Sequence, residues 1–332
     1  MTRSYADCLG DLARRDERVV VMTAENRAAI RALPASLGPR FIDTGITEQT
    51  MVGMAAGLAL RGRLPVVHAL ATFLTMRAFE FIRTDVGIPA LPVKLVGYVP
   101  GILSEANGPT HQALEYIALM RGIPSMAVFC PADIDDLVAG LETIALDSSP
   151  WYIRYCDRPA VVSHGDFEIG TAEVFDATEH DDVAIIVAGA LFREAWEAAA
   201  LLRRDGVSVR VINLRTVKPV DEAAVVHAVT TVPVVATVED HFGTGGVRSI
   251  VADIVANVAA RPRLVSVSCG ERWFTPAMVS RPTALVKLVF TSCNASSEET
   301  WQAAWSSMEP YATTRVSKSA NRSAAYRSTP AC

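Results

Sequence analysis

The sequence has no long apolar run, no paired cysteines and no complete nucleotide-binding loop, and each absence removes a class of function. No stretch approaches the roughly 20 apolar residues that cross a bilayer. The opening segment MTRSYADCLGDLARRDE is polar and amphipathic and lacks the apolar centre of a secretory signal. A cytoplasmic protein is therefore expected. The six cysteines, Cys8, Cys130, Cys156, Cys269, Cys293 and Cys332, show no CxxC spacing. That argues against a zinc site and against a disulfide framework. GxxxxGKS/T, HExxH and GxSxG are all missing, and Gly243 and Gly245 are followed by Arg248 where GxGxxG needs its third glycine. A net charge of −5 gives no reason to expect nucleic acid or an anionic membrane.

What is present is a large apolar fraction, 50% of 332 residues, arranged in alternating patterns. Apolar runs at 19–24, 64–70, 91–99, 126–132 and 151–155 read as strands. Helical spacing falls between them at 48–62, 73–87, 110–123 and 133–146. A second set repeats the theme: strands at 183–189, 207–214, 233–240 and 264–269, with helices at 191–206, 220–229 and 247–260. This alternation predicts an α/β chain of two doubly wound domains with mostly parallel sheets, the second smaller. The expected limits are 1–160 for the first domain, 161–180 for a linker with a short hairpin, and 181–290 for the second. Residues 291–332 are rich in Ser, Ala and Arg and are expected to be largely disordered, with a short helix at Glu298–Trp305.

Two segments carry candidate chemistry: DTGITEQTMVGMAAGLA at 43–59 and NGPTHQ at 107–112. Glu48 opens a helix of small residues, where a carboxylate can be a cap or a functional group. His111 can equally be a hydrogen-bonded structural histidine.

In combination the segments resemble the transketolase family and its relative deoxyxylulose-phosphate synthase. The order is TEQ running into an AAGLA helix, TF at Thr72–Phe73, and then GPTHQ. RGIPSMAVFCPAD, INLRTVKPVDEAAV and VEDHFGTGGVRSIVAD extend the likeness over roughly residues 4–275. The resemblance implies a thiamine diphosphate enzyme in which the cofactor supplies the carbanion chemistry. It implies that Glu48 hydrogen-bonds the pyrimidine ring, with Ile46, Met51, Val52 and Met54 keeping the site dry. Phe73 would stack on that ring, a role compatible with core packing, and Met76 would line it. His111 would meet the substrate oxygen and assist proton transfer. Asn107 stands where the family usually has aspartate, and Val99 where many members have a phosphate-contacting histidine. Arg154 resembles the arginine that meets the substrate phosphate, and Arg158 is a second candidate.

No GDG…N motif for the diphosphate and Mg²⁺ is present; Gly165–Asp166 has no suitable strand before it. The resemblance therefore implies a split transketolase, with Mg²⁺ and diphosphate held mainly by a separate diphosphate-binding subunit in an α₂β₂ assembly. Two other readings stay open. One is another thiamine diphosphate chemistry, in a 2-oxoacid dehydrogenase beta subunit or a deoxyxylulose-type synthase. The other is a regulatory subunit without catalysis.

Overall fold

The computed structural model describes residues 3–270 and 273, the side chains of Glu105 and Ala106 excepted. The expected tail at 291–332, its helix at Glu298–Trp305, and the end of the second domain lie outside these residues. The first sheet has the strand order β10-β5-β6-β4-β3-β1-β2. Its strands are β1 Val19–Thr23, β2 Phe41–Asp43, β3 Leu64–Leu70, β4 Lys94–Tyr98, β5 Ala127–Phe129, β6 Trp151–Arg154 and β10 Thr216–Lys218. The second has the order β12-β11-β8-β9-β7. It comprises β7 Glu173–Phe175, β8 Val183–Val187, β9 Val209–Asn213, β11 Val234–Phe242 and β12 Arg263–Cys269. All pairings are parallel except β10 with β5 and β7 with β9. The sequence of β1, VVVMT, is buried at every position, as in a strand covered on both faces.

The helices are α1 Tyr5–Arg15, α2 Leu33–Leu37, α3 Glu48–Leu60, α4 Phe79–Phe81, α5 Tyr116–Arg121, α6 Ile134–Leu146, α7 Phe192–Arg204, α8 Glu222–Thr231 and α9 Val247–Ala256. Asp133 starts α6 by accepting from the N–H groups of Asp135 and Asp136 at 3.0 and 3.1 Å. That satisfies donors which have no partner inside the helix. No helix among the described residues is long and apolar enough to cross a membrane.

Four local expectations give way. The linker forms no hairpin: β7 crosses to the edge of the second sheet and pairs with β9. The chain after β9 returns to the first sheet as β10, so the two domains share backbone pairing. The expected helix at 73–87 is two π-helical turns, Phe73–Arg77 and Ile82–Gly87, on either side of α4. The helix expected at 110–123 begins only at Tyr116. Residues before it are held by a bridge between Gly101 and Ala113, with N–H to C=O distances of 2.9 and 3.2 Å.

The domain seam is polar as well as apolar. Phe242 N–H donates to the Leu114 carbonyl at 3.0 Å, and Lys218 Nζ donates to the carbonyls of Arg121 and Ile123 at 2.9 and 2.6 Å. His164 from the linker lies between two carboxylates. Its Nε2 is 2.8 Å from Asp133 Oδ2 and its Nδ1 is 2.7 Å from Glu173 Oε2. Burial alone would lower its pKa, but the bonds to Asp133 and Glu173 outweigh it and carry the imidazole up to about 10. The folded pKa is raised above the ordinary 6.5, so the cluster's contribution is fully present below about pH 6.5 and is lost as pH rises toward 10. Urea midpoints measured across pH 6–10 are expected to fall more steeply for the wild type than for His164→Gln. Parallel curves would show that His164 carries no such linkage.

Candidate active site

Parallel strands put all their carboxyl ends on one edge of the sheet, where ligands bind in open α/β folds. The candidate residues follow those ends in order. Glu48 follows β2, Phe73 and Met76 follow β3, Val99, Asn107 and His111 follow β4, and Arg154 ends β6.

Glu48 is the first residue of α3 and is 2% exposed. Its Oε2 accepts from Arg77 Nη1 at 3.0 Å. The Arg77 guanidinium in turn stacks over the Phe73 ring, 4.1 Å from its centroid. On another side of the same ring, His111 makes an edge contact with centroids 5.1 Å apart. Glu48, Arg77, Phe73 and His111 thus form one connected group. Met76 is half-buried and packs against the main apolar cluster. Met51 and Val52 are fully buried behind Glu48. Ile46 and Met54, expected to line the same dry pocket, instead face outward at 65% and 42% exposure.

Two hydroxyls position the histidine loop, one from just after β3 and one from the loop itself. Thr72 Oγ1 donates to the His111 carbonyl at 2.7 Å. Thr110 Oγ1 lies 2.9 Å from His111 Nδ1, which leaves Nε2 as the nitrogen for a ligand oxygen. Asn107 is exposed, and its amide donates to Ser104 Oγ at 3.3 Å. Val99 has φ +51°, in the left-handed region that a β-branched residue rarely adopts. Such strain costs on the order of 1–3 kcal/mol and persists where surrounding structure demands it.

The two arginines expected at a substrate phosphate are engaged elsewhere. Arg154 is 0% exposed, and its Nη2 donates to Asp240 Oδ2 on β11 at 2.5 Å. Arg158 grips Glu194 on α7 with both terminal nitrogens, at 2.9 and 2.7 Å. Both side chains tie the first domain to the second. The sequence shows an arginine at a strand end but not the acid that meets it from 86 residues away. Arg77 was not singled out from the sequence. Its place four residues after Phe73, one helical turn on, was the signal that could have found it.

The donor set fits an aminopyrimidine. A planar cation with an N–H edge already bridges Glu48 and Phe73, and a ring of that kind presents the same edge and face. Magnesium has one candidate cluster among the described residues. Asp136, His164 and Glu173 bring their ligand atoms within 4.8 Å of one another. These atoms already serve other groups: Asp136 meets Arg215 Nε at 2.7 Å and Asn213 Nδ2 at 3.2 Å.

Comparison with known proteins identifies both domains. Residues 1–159 match the transketolase pyrimidine-binding domain and residues 171–285 the transketolase C-terminal domain. The 6-deoxy-6-sulfo-D-fructose transketolase subunit SqwH of Clostridium sp. (strain MSTE9) is 36% identical over 75% of this chain and 79% of its own. An apulose-4-phosphate transketolase subunit of Phocaeicola vulgatus is 30% identical over 80% of this chain and 86% of its own. A split-gene transketolase solved as an inactive beta4 tetramer is 31% identical, with a TM-score of 0.75 over 87% of this chain and 97% of that one. At 17% identity, the transketolase of Pichia stipitis shares the fold, with a TM-score of 0.66 over 90% of this chain and 44% of that one. Matched by both domain models across most of its length, the chain belongs to the transketolase family.

Proposed function

We propose that this chain is the pyrimidine-binding subunit of a split, thiamine diphosphate-dependent transketolase. It moves a two-carbon ketol unit from a ketose donor to an aldehyde or aldose acceptor. The observation that carries this reading is the buried Glu48 carboxylate joined through Arg77 to the Phe73 ring, with His111 at that ring's edge. Thiamine diphosphate held here by Glu48, Phe73 and Met76 would supply the carbanion chemistry of ketol transfer.

This chain's residues orient and manage protons around it. Glu48 accepts a hydrogen bond from the pyrimidine edge and holds the proton that is shared there. Its burial keeps competing water away. Phe73 gives the ring a stacking face, and Met76 borders it. His111 offers Nε2 to a substrate oxygen and moves a proton at that atom. Asn107, exposed on the same loop, reaches for substrate hydroxyls with an amide where a carboxylate is usual. Arg154 and Arg158 are not assigned to substrate, because each is spent on an acid of the second domain.

A partner subunit holds the diphosphate and Mg²⁺ in this reading. The surface beside Glu48 suits a partner. Thr50, Met54, Gly57, Leu60 and Arg61 are exposed along one side of α3, and Leu60 is 70% open. Phe81 and Ile88, also exposed, lie on the segment that packs against α3. A helix that holds Met54 and Leu60 open to water on its outward side is one that expects cover. Residues 1–160 would supply the pyrimidine site and 181–290 the second domain, in a cytoplasmic α₂β₂ enzyme. The isolated chain is expected to bind thiamine diphosphate weakly and to turn over nothing. Mixing it with a diphosphate-binding subunit is expected to restore both, read by calorimetry and by a ketol-transfer assay. Robust turnover by the isolated chain would overturn the two-chain reading.

A further inference from the structure

Arg77 touches both groups assigned to the cofactor's ring. Its Nη1 bonds Glu48 Oε2 at 3.0 Å, and its guanidinium carbon lies 4.1 Å from the Phe73 centroid. One π-helical turn produces both contacts. Phe73 and Arg77 are its first and last residues, and Ala78 N–H closes it onto the Phe73 carbonyl at 3.2 Å. Single π turns recur at functional sites.

The physical need for Arg77 is plain in the chain without cofactor. Glu48 is buried, and a buried carboxylate without a counter-charge is costly. Arg77 meets that need while keeping 41% of its side chain in water, so it can rehydrate on leaving. A guanidinium is flat, donates along its edge and stacks on aromatic faces. An aminopyrimidine seated on Glu48 and Phe73 makes the same two demands. The bridge is therefore shaped like the ligand.

We propose that Arg77 is an internal placeholder for the pyrimidine ring. It occupies the Glu48–Phe73 seat in the free chain, must swing away for the cofactor to enter, and so sets the cofactor affinity of the complete enzyme. This rests on the reading above, that Glu48 and Phe73 hold the pyrimidine. Glu48 passes from the Arg77 guanidinium to a ring nitrogen with which it shares a proton, and is never left bare. His111 contacts Phe73 and is held by Thr72 and Thr110, none of which hydrogen-bonds Arg77 through its side chain.

The test is calorimetric titration of thiamine diphosphate with Mg²⁺ into the complex of this chain and its diphosphate-binding subunit. Arg77→Met keeps the apolar stem and removes the guanidinium. It is expected to bind about tenfold tighter, the combined worth of a partly exposed ion pair and a cation–π contact. Arg77→Lys keeps the charge without the flat stacking face and is expected to fall between the two. It also serves where the methionine variant folds poorly. The urea midpoint of the cofactor-free Arg77→Met chain is expected to drop, because Glu48 loses its partner. Equal or weaker binding by both variants overturns the placeholder and leaves the pyrimidine site standing. Absence of binding by wild type and variants alike overturns both.

Discussion

In the complete two-chain enzyme, Glu48→Gln is expected to lower ketol transfer by about three orders of magnitude, the range associated with a positioned acid–base group. The substitution keeps the shape and one oxygen acceptor, so the loss isolates the carboxylate's capacity to share a proton. Hydrogen–deuterium exchange at the thiazolium carbon of bound cofactor should slow by a similar factor. Binding of the cofactor should change far less, because Phe73 stacking and the diphosphate contacts persist. His111→Ala provides the contrast. It should depress turnover while leaving exchange near the wild-type rate, since the role proposed for His111 is at the substrate oxygen. Unchanged exchange in Glu48→Gln would mean that another group manages the proton.

The candidate site was legible in the sequence where chemistry is local. Glu48, Phe73 and His111 each sit in a short motif at the end of an apolar run, and parallel strands bring those ends together. The alternating strands were legible for the same reason: buried strands such as β1 and β8 are nearly pure aliphatic sequence. What escaped was long-range. TVK at 216–218 is a strand only because β5 offers it an edge. Phe73–Arg77 has helical spacing, and sequence alone does not separate an i→i+5 turn from an i→i+4 turn. Ile46 has the side chain of a core residue and is 65% exposed, because apolar character alone does not say which residues the fold turns outward. Arg154 resembles a phosphate ligand by its motif, and the motif does not show the acid that pairs with it from the other domain.

That last pair carries the second large expected effect. Asp240→Ala is expected to cost about 3–5 kcal/mol, the usual consequence of stranding one member of a buried ion pair. Arg154 has nowhere to relax. Its Nε and Nη1 already lack hydrogen-bond partners among the described residues, as do Asp240 Oδ1 and the hydroxyls of Tyr116 and Tyr152. A Cβ on Gly189 would lie 3.0 Å from Arg154 Nη1, and one on Gly101 would collide with Asp240, so backbone closes in from both sides. The joint replacement Arg154→Met with Asp240→Leu removes both charges and should recover most of the loss, because apolar side chains do not require hydration. Urea denaturation of the four proteins gives the coupling directly. The kinetics separate the two roles open to Arg154. A phosphate ligand, once replaced by methionine, would raise KM for phosphorylated substrates and leave stability alone. A seam residue would lower the urea midpoint and leave the KM ratio of phosphorylated to unphosphorylated substrates unchanged. With its guanidinium sealed against Asp240 in the interior, the second outcome is the expected one for Arg154→Met.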